Sequence, residues 1–203
     1  MARRSDHTKE QIKEMALSAA EKLVTRDGLQ GLSARKIAHE IGYTVGTLYL
    51  VFENIDELIS HVNARTLDML YESLLAATVS CRQPRTCILA IGRAYVEFAT
   101  RHPHRWKMIF EHNLAKGVEA PQWYRMKVNR MFELVEQQLQ PLLAGQSRKK
   151  IAQTAKTLWC GVHGICALAV TNKLEVDDAQ SIQTLTDSLI NHFVAGIAAD
   201  IPV

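Results

Sequence analysis

Ser33 and Thr44 are small hydroxyl residues, each directly ahead of a short run with apolar residues at helical spacing. A hydroxyl at that position accepts from a first-turn amide that has no partner inside the helix, so both residues predict helix starts. Ile37, Ala38 and Ile41 give the first helix an apolar face, and Gly42 can take the left-handed conformation that stops it. Two short helices separated by so brief a turn form a helix-turn-helix, with Ile37, Ile41, Leu48 and Phe52 as the expected core of a three-helix unit.

Similar signals recur along the chain. Thr8-Lys9-Glu10-Gln11 has the form of a capping box, and Ile12, Met15, Ala16, Ala19, Ala20 and Leu23 behind it predict a helix over 8–26. Asp27-Gly28 ends it and Gln30-Gly31 continues the turn. Asn54 caps a long amphipathic helix running to about Val79, with Asp56 and Glu57 in the first turn, where the helix dipole favours acids. Pro84, Pro103 and Pro121 each mark a helix start, predicting helices near 84–101, 103–114 and 120–140. Pro141 and Gly145 mark a loop, 151–174 reads as the most apolar helix, and 178–198 carries Ile182, Leu185, Leu189, Phe193 and Ile197 on one stripe. With no strand alternation, repeat or low-complexity tract, the expected fold is all-α with about nine helices. The expected domains are 1–53, the helix-turn-helix, and 54–203, a helical domain for effector binding and dimerisation.

A chain of 203 residues that is 47% hydrophobic can bury a real core. It has no uncharged apolar run long enough to span a membrane and no apolar stretch behind its N-terminal basic pair, so a soluble cytoplasmic protein without membrane contact is expected. Cys81, Cys87, Cys160 and Cys166 form no C-x-x-C pair and fall in helical segments, which points to reduced thiols packed in the core, with redox sensing or metal ligation as alternatives. The net charge of +3 does not by itself indicate a nucleic-acid partner, and residues 42–58, GYTVGTLYLVFENIDEL, hold no Lys or Arg.

In a helix-turn-helix the second helix enters the major groove, so its first turn must be slim. Thr44-Val45-Gly46-Thr47 supplies this: Gly46 lets backbone approach DNA, while helix-start amides and the hydroxyls of Thr44, Thr47 and Tyr49 can donate to phosphate oxygens. The stretch GLQGLSARKIAHEIGYTVGTLYLVFENIDEL resembles the DNA-binding domain of TetR-type transcriptional regulators, through its capped helix, the Gly-x-[Ser/Thr]-x-x-Thr-Leu-Tyr core and the aromatic residue after it. The resemblance implies that Tyr49 contacts phosphate with Thr47 beside it, and that Tyr43, Thr44, Val45 and Gly46 face base edges or backbone. Arg35 falls where some members reach a base or phosphate, and Ser33 and Lys36 complete the expected DNA-facing set. The lysine usual in the next turn is here Ile55, a departure that would flatten the salt dependence of binding by about one ion. Arg3 and Arg4 could form a minor-groove arm or stay solvated.

The same resemblance implies a homodimer through the last two long helices. LWCGVHGICALAV, residues 158–170, is apolar on nearly every face and is expected to be buried on all sides, with Gly161 and Gly164 allowing close helix approach. Trp159, His163 and Gly164 resemble the Trp-x-x-x-His-Gly run of a C-terminal TetR subgroup. Aromatic and soft side chains between 106 and 132 suggest an effector region, with Tyr95, Trp106, Phe110, Trp123, Tyr124, Met126, Trp159 and His163 as candidate lining; each could equally be ordinary core. A metal site at His104, Met108, Glu111 and His112 is an alternative use of one helical face, although neither metal nor cofactor is required. Enzyme motifs are absent, and His163 beside Cys160 or Cys166 reads better as a packed histidine than as part of a nucleophile pair. The expected function is a DNA-binding regulator that recognises a double-stranded operator, a repressor released by a small apolar or aromatic effector. The alternatives are a constitutive or activating regulator without effector and, more remotely, an all-α enzyme or partner-binding protein.

Overall fold

The computed structural model describes residues 7–114, 117–174 and 179–199; Arg3 and Arg4 lie outside the described residues. Among the described residues there are nine α-helices, a single 3-10 turn and no strand. The helices are α1 (Lys9–Asp27), α2 (Ala34–Glu40), α3 (Val45–Leu48), α4 (Ile55–Thr78), α5 (Pro84–Arg101), α6 (Pro103–Glu111), α7 (Gln122–Leu139), α8 (Arg148–Val170) and α9 (Ala179–Ala199). None of the described helices is long and apolar enough to cross a membrane.

Helix starts follow local capping chemistry. Thr8 Oγ1 accepts from the Gln11 amide while Gln11 Oε1 accepts from the Thr8 amide, at 3.2 and 2.8 Å, closing the expected box on α1. Asn54 Oδ1 accepts from the Glu57 amide at 2.8 Å ahead of α4. α8 begins earlier than its apolar pattern suggests, because Ser147 Oγ accepts from the Lys150 amide and recruits a polar first turn. α1 stops at Gly28, whose φ of 68° places it in the left-handed region; the 3-10 turn Leu29–Gly31 follows.

The chain forms two compact units, one from the described residues up to Thr66 with His104–Tyr124, the other from Leu67–Pro103 with the described residues after Tyr124. In the first unit Leu17, Ala20, Val24, Ile37, Leu48, Phe52, Leu58, Val62 and Met108 form one buried cluster. Burial of each large side chain contributes about 1.5–3 kcal/mol. Met108 brings α6 into this core, and polar contacts fix it there: Glu21 on α1 accepts from Arg105 on α6 at 2.7 Å and from Arg65 on α4 at 3.2 Å. Asn63 on α4 donates to the Met108 carbonyl, and His104 bonds the Thr25 carbonyl at 3.0 Å.

In the second unit α5 packs on α9, and α8 packs on α9. A Cβ at Gly92 would lie 2.3 Å from Ile190 Cδ1 and one at Gly161 would lie 2.8 Å from Leu189 Cδ2, so both glycines allow close helix approach. Gly164 differs from the expectation: a Cβ there would meet nothing within 4 Å. The buried stripe of α9 is Ile182, Thr186, Ile190 and Val194, rather than the expected Ile182, Leu185, Leu189, Phe193 and Ile197, because residues at four-residue spacing from Ile182 face α5 through Gly92. α8 likewise is not buried on all sides of the single chain. Ala155, Leu158, Val162 and Cys166 are buried, whereas Cys160 and Leu168 are exposed.

Glu21→Ala removes the acceptor shared by Arg65 and Arg105 and leaves two partly desolvated guanidinium groups. Urea unfolding of the variant should show a loss of about 2 kcal/mol.

Candidate nucleic-acid interface

Turn geometry fixes the angle between α2 and α3. Ser33 Oγ accepts from the Lys36 amide at 3.3 Å, and α2 ends where Gly42, at φ 73°, donates to the His39 carbonyl and Tyr43 donates to the Ala38 carbonyl. Two residues later Thr44 Oγ1 accepts from the Thr47 amide at 3.3 Å and lies 3.1 Å from Thr47 Oγ1. α3 spans only four residues, of which Leu48 alone is buried. The side facing away from the core presents Thr44, Gly46 and Tyr49 as exposed and Tyr43, Val45 and Thr47 as half-buried. Tyr49 is 48% exposed, enough to leave its hydroxyl to an external partner.

Gly46 has no internal reason to be glycine, since the nearest atom to an added Cβ would be Thr44 Oγ1 at 3.7 Å. Glycine costs a helix about 1 kcal/mol relative to alanine, and no packing within the chain offsets that cost here. The arrangement offers helix-start amides and neutral hydroxyls on one open face, which suits phosphate oxygens.

The cations are distributed unevenly around that face. Arg35 is exposed on α2, while Lys36 donates through Nζ to the Gly31 carbonyl at 2.9 Å. Arg26 is engaged by Asp27 at 2.8 Å, and Lys13 lies 5.3 Å from the Phe52 ring centroid and 3.3 Å from His61 Nε2. Ile55, at the position where the TetR pattern carries lysine, is half-buried and packs against the first unit's core. Sequence reasoning missed His7, whose Nδ1 lies 2.7 Å from the Tyr43 hydroxyl with the rings edge to face. Nothing local signals this pairing across 36 positions of sequence.

The profile described as "Bacterial regulatory proteins, tetR family" matches residues 16–62, and that of the "Tetracyclin repressor-like, C-terminal domain" matches residues 88–193, more than half of the chain. This chain belongs to the TetR family. It is therefore a DNA-binding transcriptional regulator rather than an enzyme. It is 38% identical over 66 residues to an HTH-type transcriptional regulator of Haemophilus influenzae, a match covering 32% of this chain and 35% of that protein. Among solved structures, a protein of unknown function from Rhodococcus sp. RHA1 superposes with a TM-score of 0.76 at 21% identity, covering 97% of this chain and 100% of that one. A TetR-like transcriptional regulator from the same organism gives 0.64 at 18% identity, with the same coverage. These two likenesses concern the fold.

The residues expected to line an effector site fall in both units of this TetR-family chain. In the second unit the Tyr95 hydroxyl and His163 Nδ1 share a hydrogen bond of 3.0 Å, Trp159 stacks on His163 with ring centroids 4.8 Å apart, and Phe132 meets Trp159 edge-on. Burial holds the His163 imidazolium pKa below its ordinary value. Met126, in the same unit, is 62% exposed. In the first unit Trp106 contacts Phe110, and Trp123 stacks on His61 and meets Tyr124 edge-on.

The same side chains bear on the two alternative uses, metal ligation and a cysteine–histidine pair. Met108 is fully buried, His104 bonds the Thr25 carbonyl and His112 Nε2 lies 3.0 Å from Asp56 Oδ1, so three of the four residues considered for metal are engaged separately. Among the described residues no three His, Cys, Asp or Glu side chains converge. Cys166 is buried in α8, and burial pushes its thiol up to about 12, which disfavours the thiolate that a nucleophile needs.

Salt titration separates hydroxyl from charge at the interface. Tyr49→Phe should weaken DNA binding by about 1 kcal/mol with the slope of log affinity against log salt unchanged. Ile55→Lys should steepen that slope by about one ion and tighten specific and non-specific binding together. An Ile55→Lys slope equal to the parent's would place residue 55 away from the DNA backbone.

Proposed function

We propose that the protein is a cytoplasmic, homodimeric repressor whose hold on its operator is released by a small apolar or aromatic effector. The observation that carries the effector reading is the Phe132–Trp159–His163–Tyr95 cluster. There, aromatic faces end in a hydroxyl and an imidazole kept neutral near pH 7 by burial, a combination suited to an apolar ligand with one polar group. DNA contact falls to Ser33, Arg35, Lys36, Tyr43, Thr44, Val45, Gly46, Thr47 and Tyr49. The boundary between DNA-binding and regulatory parts is taken at residues 53 and 54, where Asn54 caps α4.

Dimerisation is assigned to α8 and α9. Leu168 and Leu185 are 44% and 40% exposed, Phe193 is half-buried, and Gly164 opens onto empty space, so both helices keep apolar surface that the single chain does not cover. α4 belongs to the first unit up to Thr66 and to the second from Leu67. It is the element through which an effector would favour a half-site spacing unsuited to DNA, a population shift of about 1–3 kcal/mol.

Selection of bound sites from a random DNA pool, followed by a screen of aromatic and aliphatic compounds, tests the reading. A releasing compound should lower operator affinity about 5- to 150-fold and quench Trp159 fluorescence, and Tyr95→Phe should weaken the response. Specific binding that no compound affects supports a constitutive or activating regulator instead. Leu185→Glu should yield a monomer by analytical ultracentrifugation, with helix content retained and operator affinity lost; a variant that stays dimeric moves the interface elsewhere.

A further inference from the structure

His7 belongs neither to the DNA-facing set nor to the effector cluster, yet it bonds a member of the first. Its Nδ1 lies 2.7 Å from the Tyr43 hydroxyl, and the two rings meet edge to face with centroids 6.0 Å apart. Both ends of this contact are anchored by local chemistry within the first unit. His7 directly precedes Thr8, whose side chain and amide close the capping box on α1, so its backbone is held where the helix begins. Tyr43 donates its amide to the Ala38 carbonyl at 2.9 Å and directly precedes the Thr44 cap of α3. An exposed hydrogen bond of this kind adds little to stability, because water competes for both partners. What it fixes is the direction of the phenol.

We propose that His7 is a positioning residue of the DNA interface, which orients the Tyr43 phenol and, on protonation, turns the Tyr43 O–H outward to a phosphate oxygen. This role rests on the reading that Tyr43 faces DNA. A neutral imidazole whose Nδ1 carries no proton accepts from the phenol, and the Tyr43 O–H is then engaged inside the protein. A protonated imidazole can only donate there, so the phenol oxygen accepts and its own O–H is released to another acceptor. DNA docked against this face removes water and strengthens both bonds of the chain from His7 through Tyr43 to phosphate. The positive charge behind the phenol also acts where residues 42–58 supply no Lys or Arg.

The proton shifts affinity in one direction. Protonated His7 favours the DNA-bound state, so binding tightens as pH falls, and the gain is lost once the imidazole is neutral in free and bound protein alike. The groove between α1 and α2 that His7 lines also carries Glu14, Lys22 and Glu40. Carboxylates and ammonium groups as a class hold their charge between about pH 6 and 8, whereas an imidazole changes charge in that range.

Fluorescence anisotropy of the full-length protein on a labelled random-sequence duplex, and on the duplex recovered by site selection, tests the role. Between about pH 6 and 8, His7→Ala should bind about 5-fold more weakly than the parent at the acid end and within about 2-fold of it at the basic end. Taking the difference cancels the titration of the other histidines of the first unit. His7→Gln, which can hold the phenol but gains no charge, should lose the same pH-dependent share. In the Tyr43→Phe background His7→Ala should change nothing further, because its effect passes through the hydroxyl. Circular dichroism checks folding, and if His7→Ala loses helix content, His7→Gln carries the same comparison. A His7→Ala curve parallel to the parent's, with Tyr43→Phe weakened, would overturn the positioning role and leave Tyr43 at the DNA. A pH-dependent deficit that survives in Tyr43→Phe overturns it too, since His7 then meets phosphate by itself. Tyr43→Phe binding as tightly as the parent at every pH removes both this role and the phosphate contact of the Tyr43 hydroxyl.

Discussion

Leu48 is the one buried residue of a four-residue helix, and its insertion beside Ile37, Phe52 and Val24 gives α3 a defined direction. A helix of that length has no stability of its own in water, since nucleation is unfavourable and no propagation follows it. The presenting surface of Thr44, Gly46 and Tyr49 is therefore borrowed from the core behind it. That core in turn depends on α1, which contributes a continuous buried face from Ile12 to Val24, and on Met108 of α6. The Thr44 cap and the left-handed Gly42 set where the helix starts, but the packing of Leu48 decides which side faces outward.

The candidate interface offers few charges of its own. Lys36 is tied to the Gly31 carbonyl, Arg26 to Asp27, and Lys13 lies against Phe52, so these cations reinforce the fold that carries the interface. Ile55 extends the same economy of charge. Where the TetR pattern carries lysine, this chain has an apolar side chain that packs on the core at the start of α4. Neutral hydroxyls and helix-start amides are the groups this face offers, and such groups bind phosphate oxygens through geometry with weak salt dependence. His7 beside Tyr43 adds a connection between the start of α1 and the turn ahead of α3.

The second unit shows how one apolar helix can face two ways. α9 buries Ile182, Thr186, Ile190 and Val194, of which Thr186 and Ile190 meet Gly92 of α5, while Leu185 and Phe193 stay partly open; α8 commits Leu158, Val162 and Cys166 inward and leaves Leu168 exposed. Glycines mark the difference, since Gly92 and Gly161 are filled by Ile190 and Leu189 whereas Gly164 is empty. Part-buried polar contacts such as Tyr95 with His163 fix side-chain orientation within this unit, where reduced polarity strengthens them.

The sequence by itself determined where helices begin and end and which family the DNA-binding segment resembles. Caps at Thr8, Ser33, Thr44 and Asn54, and stops at Gly28 and Gly42, act within a few residues of themselves, so their chemistry reads directly from the string. The Ser147 cap was equally local, but the apolar pattern drew the expected start of α8 past it. Tertiary structure alone decided the partners: Glu21 with Arg65 and Arg105, His7 with Tyr43, Tyr95 with His163, and the stripe of α9 that meets α5. Many charged and aromatic residues of suitable type compete for each of these pairings. Only the packing of helices distant in sequence, set by the total apolar surface buried, selects among them.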